Sequence, residues 1–301
     1  MQLRRKLQEV QTDDGARLIV ALAGHLDNPE GPWALLQHGF PDSPATWRQL
    51  TPALVAAGYR VATPWLRGYR PSSTGRSRPT IDRLGADLRA VHDALGGDER
   101  AVLIGHDWGA AASWSAACGT DRWRAVVGLA VPPEPVLAGM LLRPRQLWRS
   151  RYMVQAQLPG IQRLAATRDL APLVRLWRRW SPGYEPDAED LAGLRAALPD
   201  AAAVADALAL YRAQLVGGVL GQIPRPDGPV PAVPMLYLHG DLDGCIDPAY
   251  AKAAAEVLLA ADARSVVRVV AGAGHFLQLQ RPATVAELVV GFLAATADSD
   301  T

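Results

Sequence analysis

The run Ala101-Val102-Leu103-Ile104 is apolar without a break and ends at once in Gly105-His106-Asp107-Trp108-Gly109-Ala110. A short continuous apolar run is the signature of a strand covered on both faces, as in the middle of a parallel sheet. The rest of the chain has the alternation such a sheet needs. Residues 17–23 (RLIVALA), 33–37, 59–64 and 126–131 read as strands, and so do MLYLHG and SVVRVVAG. Between them the helical period is met over 46–57, where Trp47, Leu50, Leu54 and Val55 fall near one face. It recurs from Thr80 to the glycines at 96 and 97, over 108–117, in AYAKAAAEVLLA and in TVAELVVGFLAA. From Pro132-Pro133 to about Gly228 no convincing strand occurs. That stretch is rich in Arg, Leu, Trp and Ala, is broken by LPG, SPG and LPD turns, and ends at the proline-rich residues 224–234. The fold class is therefore α/β, a βα frame interrupted by a helical insertion.

Composition sets bounds on partners. With 301 residues and 49% hydrophobic content, the chain suits one large α/β domain with an insertion and is too apolar for a disordered chain. Its 31 basic and 30 acidic residues leave a net charge of +1, which predicts no nucleic-acid partner and no association with a membrane. The N-terminal MQLRRKLQEVQTDDG lacks the apolar run of a signal peptide, and no stretch approaches the ~20 apolar residues that cross a bilayer. The two cysteines, Cys118 and Cys245, make no disulfide framework, so a reducing, cytoplasmic setting is expected. Nothing cationic adjoins Cys245, which reads as a small buried residue. A homodimer is left open.

The chemistry starts at Asp107. Gly105 and Gly109 flank it at the spacing of a sharp strand-to-helix turn, which pushes the central side chain into the space above the sheet. A serine at such a tip needs a base; an aspartate is already an anion and can attack carbon directly, forming an ester. That suits an sp³ carbon bearing a strained ether oxygen or a halide. The bland alternative is an Asp capping the helix that follows. His275, in AGAGHF, lies past the last strand, where α/β sheets gather their chemistry. HGDLDGC supplies an acid to orient it: Asp243 is favoured, with Asp247, better explained as an N-cap of the helix near Pro248, and Asp241 behind it. The order nucleophile, acid, histidine is that of elbow hydrolases. HGFP at 38–41 follows an early strand, so the Phe40 amide could pair with the Trp108 amide as an oxyanion hole.

HGFP, GHDWGA, HGDLDGC and GHFLQLQRP together resemble the α/β-hydrolase-fold epoxide hydrolases over nearly the whole chain. The resemblance implies a mostly parallel eight-stranded sheet flanked by helices, with a helical lid inserted after the sixth strand. Residues 1–132 and 229–301 would form the core and 133–228 the lid. It also implies two lid tyrosines that hydrogen-bond to the epoxide oxygen. Of seven tyrosines, Tyr152 (SRYMVQAQLPG) and Tyr211 (ALALYRAQL) stand in matching contexts. Ala156 departs from the aromatic usual before Gln157, and Gln162-Arg163 replaces an acidic residue; both changes concern substrate shape. Tyr184, in SPGYEP, reads as a turn residue. His38, Pro41, Trp108 and Phe276 are expected to contact substrate. The implied partners are a small apolar epoxide and water, the product a vicinal diol, and no cofactor or metal is called for.

Two other functions compete. Haloalkane dehalogenases share the Asp nucleophile and a following Trp, but tend to carry Asn or Glu where Phe40 stands, because halide needs a second polar donor. Fluoroacetate dehalogenases, which place Arg after the nucleophile, match less well, since Trp108, Ala110 and Ala111 follow here. A catalytically silent, ligand-binding protein of the same fold is the third reading. The basic lid residues Arg143, Arg145, Arg149 and Arg151, with RLWRRW at 175–180, read as a solvated helix face whose Trp148, Trp177 and Trp180 pack inward. The sharper alternative for them is attachment to an acidic surface such as a membrane.

Overall fold

Eight strands form one sheet in the order β1-β2-β4-β3-β5-β6-β7-β8. They are β1 (Arg5–Gln11), β2 (Arg17–Ala23), β3 (Trp33–Gln37), β4 (Arg60–Pro64), β5 (Val102–His106), β6 (Ala125–Leu129), β7 (Met235–Gly240) and β8 (Val266–Val270). The fold is that of a computed structural model, which describes residues 5–28, 30–140, 143–220 and 225–298. Residues 1–4 of the charged N-terminus and Pro224 of the proline-rich stretch lie outside these. β1 pairs antiparallel with β2 and β2 antiparallel with β4; every other pairing is parallel.

The helices are α1 (Leu50–Ala56), α2 (Ile81–Ala94), α3 (Trp108–Ala117), α4 (Glu134–Met140), α5 (Pro144–Arg149), α6 (Arg151–Gln155), α7 (Ile161–Ala165), α8 (Thr167–Trp180), α9 (Ala188–Ala197), α10 (Ala201–Leu220), α11 (Tyr250–Ala261), α12 (Leu277–Gln280) and α13 (Pro282–Asp298). β5 shows why an unbroken apolar run was needed. All five of its residues are buried. Leu103 joins a core with Leu84 and Leu88 of α2 and Ala112 of α3, whereas Val102 and Ile104 join a second core with Leu54 of α1 and Val289 of α13. Successive side chains of one strand thus feed opposite faces of the sheet.

α4 to α10 all lie between β6 and β7, and no strand interrupts them among the described residues. None of the described helices is long and apolar enough to cross a membrane.

Several elements differ from the expectation. β1 lies outside the expected strands: it is an edge strand, RKLQEVQ, with Val10 its single buried apolar residue, so it carries no hydrophobic run. The helix expected over 46–57 is a 3-10 turn at Pro44–Trp47 followed by α1. Pro52, with no backbone N–H, fits only the first turn of a helix, so α1 starts just ahead of it. β6 stops at Leu129 rather than 131 because Ala130 has φ +67. Thr80 lies just outside α2 as its cap, accepting the Arg83 N–H at 3.2 Å. Asp247 does not cap α11: the cap position is Ala249, and Asp247 closes the preceding turn by accepting the Ala249 N–H at 3.0 Å. Trp177 and Trp180 are buried as expected, but Trp148 is exposed.

Candidate active site

Asp107 is the single residue between β5 and α3, with φ 54 and ψ −120. A non-glycine residue in such backbone geometry costs about 1–3 kcal/mol and is held by its surroundings. Those surroundings are tight. A Cβ on Gly109 would lie 2.0 Å from the Gln37 carbonyl oxygen, and one on Gly39 would lie 2.4 Å from Cβ of Asp107 itself. The Asp107 side chain makes no capping bond to α3, so the helix-cap reading fails. Instead the Phe40 N–H donates to Oδ1 at 2.8 Å, and Nε2 of His275 stands 3.2 Å from Oδ2. The Trp108 amide, at the first position of α3, is one of the N–H groups that a helix start leaves without an intrahelical acceptor.

His275 lies on the loop between β8 and α12, fully buried. Its Nδ1 is 2.8 Å from Oδ2 of Asp243. The other oxygen of Asp243 accepts the Cys245 N–H at 2.7 Å and the Ile246 N–H at 2.9 Å, so the carboxylate is fixed by its own loop. Asp241 bonds instead to the Ala273 N–H, at 3.2 Å. Of the three candidate acids, Asp243 is the one brought to the histidine. Burial by itself would strip the proton from His275, but the Asp243 and Asp107 carboxylates outweigh it and raise the imidazole to about 10. Burial pushes Asp243 the other way, and the histidine overcomes it and holds that carboxyl below its ordinary value. The resting imidazole is therefore held protonated between Asp243 and Asp107.

Tyr152 on α6 and Tyr211 on α10 meet edge to face above this pair, with ring centroids 5.4 Å apart. Both line the same cavity of about 160 Å³ as Asp107 and Trp108, whose walls are otherwise largely apolar, including Ile81, Val131 and Met153. Burial pushes both phenols well above the usual tyrosine value, so both stay protonated and able to donate. The Tyr211 hydroxyl and the Trp108 Nε1 are buried and have no partner among the described residues. Tyr152 has a weak one, the Sγ of Cys245 at 3.5 Å. Burial raises that thiol far above its usual value, which makes it a poor nucleophile.

Other expected contacts fall elsewhere. His38 does not line the cavity: its ring is spent on the Gly39 carbonyl and on the Leu66 N–H, at 3.0 and 3.1 Å. The carbonyl of Pro41 accepts from the Trp177 indole, and Phe276 packs on Trp177 with centroids 4.8 Å apart; neither reaches the cavity. These three residues support the site without facing it. The Tyr184 hydroxyl donates to Asp190, away from the cavity.

Sequence reasoning missed Gln146 and Gln214, which also line the cavity. Gln214 follows Tyr211 by three residues on α10, a helical spacing that could have pointed to it. Gln146 gave no such signal. Its buried amide donates to the Cys245 carbonyl and accepts from the Asp247 N–H, each at 3.0 Å, and so grips the loop that carries Asp243. Arg149, one helical turn on, donates to the carbonyls of Asp243 and Ile246. No cluster of metal-ligating side chains occurs among the described residues.

The model of the α/β hydrolase fold family matches residues 32–282. Epoxide hydrolase A of Mycobacterium tuberculosis (strain ATCC 25618 / H37Rv) is 33% identical, over 93% of this chain and 95% of that protein. Among solved structures, epoxide hydrolase A from Mycobacterium thermoresistibile superposes with a TM-score of 0.74 at 29% identity, covering 97% of this chain and 98% of that one. One of a set of epoxide hydrolases from metagenomes of hot environments does so with a TM-score of 0.79 at 26% identity, covering 96% and 99%.

Proposed function

We propose, from the premise that this chain belongs to the α/β-hydrolase fold family, that it is an enzyme hydrolysing epoxides to vicinal diols through an ester on Asp107. The observation that carries the reading is that the Asp107 carboxyl group and two protonated tyrosines line one small, mostly apolar cavity. The relatives named as epoxide hydrolases agree with it.

In the first step an Asp107 oxygen attacks a ring carbon and the carbon–oxygen bond of the epoxide breaks. Tyr152 and Tyr211 donate to the departing oxygen, which would otherwise become an alkoxide in a site with little water, at a cost of several kcal/mol. The carboxylate has now become a neutral ester, so the charge that held a proton on His275 is gone. That proton balances the one taken up by the new hydroxyl. In the second step the neutral imidazole, steered by Asp243, accepts a proton from water as the water attacks the ester carbonyl. The Phe40 and Trp108 amides receive the charge on the carbonyl oxygen. The ester carbon–oxygen bond then breaks, the proton left on the added water oxygen passes to the departing diol oxygen, and the diol leaves with Asp107 a carboxylate and His275 protonated again. The inserted helices α4–α10, which carry both tyrosines, act as the lid. The unpaired Cys118 and Cys245 fit a reducing, cytoplasmic setting.

A dehalogenase reading has one observation in its favour: the partnerless Nε1 of Trp108, a ready halide donor. Phe40 supplies no second donor, since its ring packs edge-on to Tyr211 with centroids 5.0 Å apart. Incubation with styrene oxide and with a 1-bromoalkane in parallel separates the cases. Diol without bromide is expected; bromide release would favour the dehalogenase, and neither product would favour the silent protein.

A further inference from the structure

Between Glu134 and Asp169 the sequence contains no acidic residue but carries Arg143, Arg145, Arg149, Arg151, Arg163 and Arg168. In a chain of net charge +1 this is strong segregation. The same stretch holds five of the nine exposed large apolar side chains of the described residues: Leu147, Trp148, Val154, Leu158 and Leu164. Trp148 is 69% exposed and Val154 63%. They sit on and between three consecutive short helices, α5 to α7, and the Arg151 guanidinium lies over the Trp148 ring at 4.3 Å. Isolated exposed apolar residues need no explanation; five within one stretch of sequence that carries six arginines and no acid do.

We propose that α5–α7 dock this protein on the surface of a membrane containing anionic phospholipid. Arginines supply attraction to the headgroups, and Trp and Leu side chains enter the boundary between headgroup and acyl chain. A second copy fits the face poorly, because a two-fold contact would set arginines against arginines. Leu147 adds a reason for a lipid partner: it is both half exposed and part of the wall of the cavity, so the cavity reaches the surface at this face. A docked bilayer could then deliver an apolar epoxide directly; this last clause rests on the proposed reaction, whereas the docking does not. The near-zero net charge, which argued against a membrane, averages over a surface whose charges are unevenly placed.

Co-sedimentation with vesicles of phosphatidylcholine, with and without phosphatidylglycerol, tests the docking without any turnover. Binding to the anionic vesicles alone is expected, weakening as salt is raised. Arg145→Gln with Arg163→Gln should weaken it roughly 30-fold, from about 1 kcal/mol for each basic residue near an anionic surface. Trp148→Ser should weaken it too, while Val269→Ser, an exposed apolar site on β8, leaves it unchanged. All of these variants keep wild-type turnover of styrene oxide in solution if that reaction holds. The proposal falls if the unmodified protein ignores anionic vesicles at low salt, or if neither the arginine pair nor Trp148→Ser changes binding. It also falls if the protein binds no vesicle and Trp148→Ser converts a dimer to a monomer, which would make the face an interface between copies.

Discussion

Nε2 of His275 lies 3.2 Å from Oδ2 of Asp107, so the nucleophile helps keep the base protonated before any substrate is present. With Asp243 on the other ring nitrogen, the imidazole stays protonated up to about 10. Forming an ester removes the Asp107 charge, and losing a nearby anion lowers the pKa of a cation. Asp107→Asn imitates that neutral state. In this variant His275 should titrate at least about one unit lower, since an opposite charge at this range is worth 1–3 units. Nitrogen NMR of the imidazole measures it; an unchanged or higher titration would show that Asp107 does not control the base.

Tyr152→Phe and Tyr211→Phe each remove one donor from the cavity. Loss of one such donor typically costs about 10²–10³ in rate. Single-turnover experiments should show the loss in ring opening, with hydrolysis of preformed ester little affected. Equal slowing of both steps would mean that the hydroxyls serve packing instead.

Gln146→Leu keeps the volume of the side chain but frees the loop that carries Asp243. Ester hydrolysis, which needs His275 oriented by that acid, should slow about 10-fold, from the ~1–3 kcal/mol lost when buried hydrogen-bond partners are left unpaired. Ring opening by Asp107 should keep its rate, and Gln146→Glu should restore part of the loss by accepting from the Asp247 N–H. If both steps slow together, Gln146 acts on the lid as a whole.

Away from the site, Arg67 is buried between two carboxylates, bonded to Asp87 at 2.6 Å and to Asp14 at 2.9 Å, and holds the loop after β4. Its hydrogen bond to Asp14 pulls that carboxyl far below the usual range. Arg67→Met leaves two buried carboxylates without their cation and should destabilise the fold by about 3–5 kcal/mol. Urea unfolding measures this; a loss under about 1 kcal/mol would mean that water or Arg83, 3.4 Å from Asp87, takes over.

The elbow and the relay were legible in the sequence because both rest on local pattern. An apolar run, two glycines and a single Asp between them dictate β5, the tight bend and the start of α3. Asp243 was favoured from its place on the loop leaving β7, and that loop does bring it to His275. What stayed hidden depends on packing over long sequence distance. His38 looked like a substrate contact because it adjoins Phe40, but the Leu66 amide, from the loop after β4, turns its ring inward. Gln146 and Cys245 are 99 residues apart, and nothing local announces their bond. β1 carries too few apolar residues to show a period, and Trp148, which shares the Arg-rich context of Trp177 and Trp180, faces solvent while they are buried.

A single turnover in water enriched in heavy oxygen tests the central claim most directly. With enzyme in excess over styrene oxide, the first diol should carry oxygen from Asp107 and stay unlabelled, while mass spectrometry of the peptide containing Asp107 finds the heavy atom in its carboxylate. Diol labelled from solvent in that first turnover, with Asp107 unlabelled, would contradict the ester.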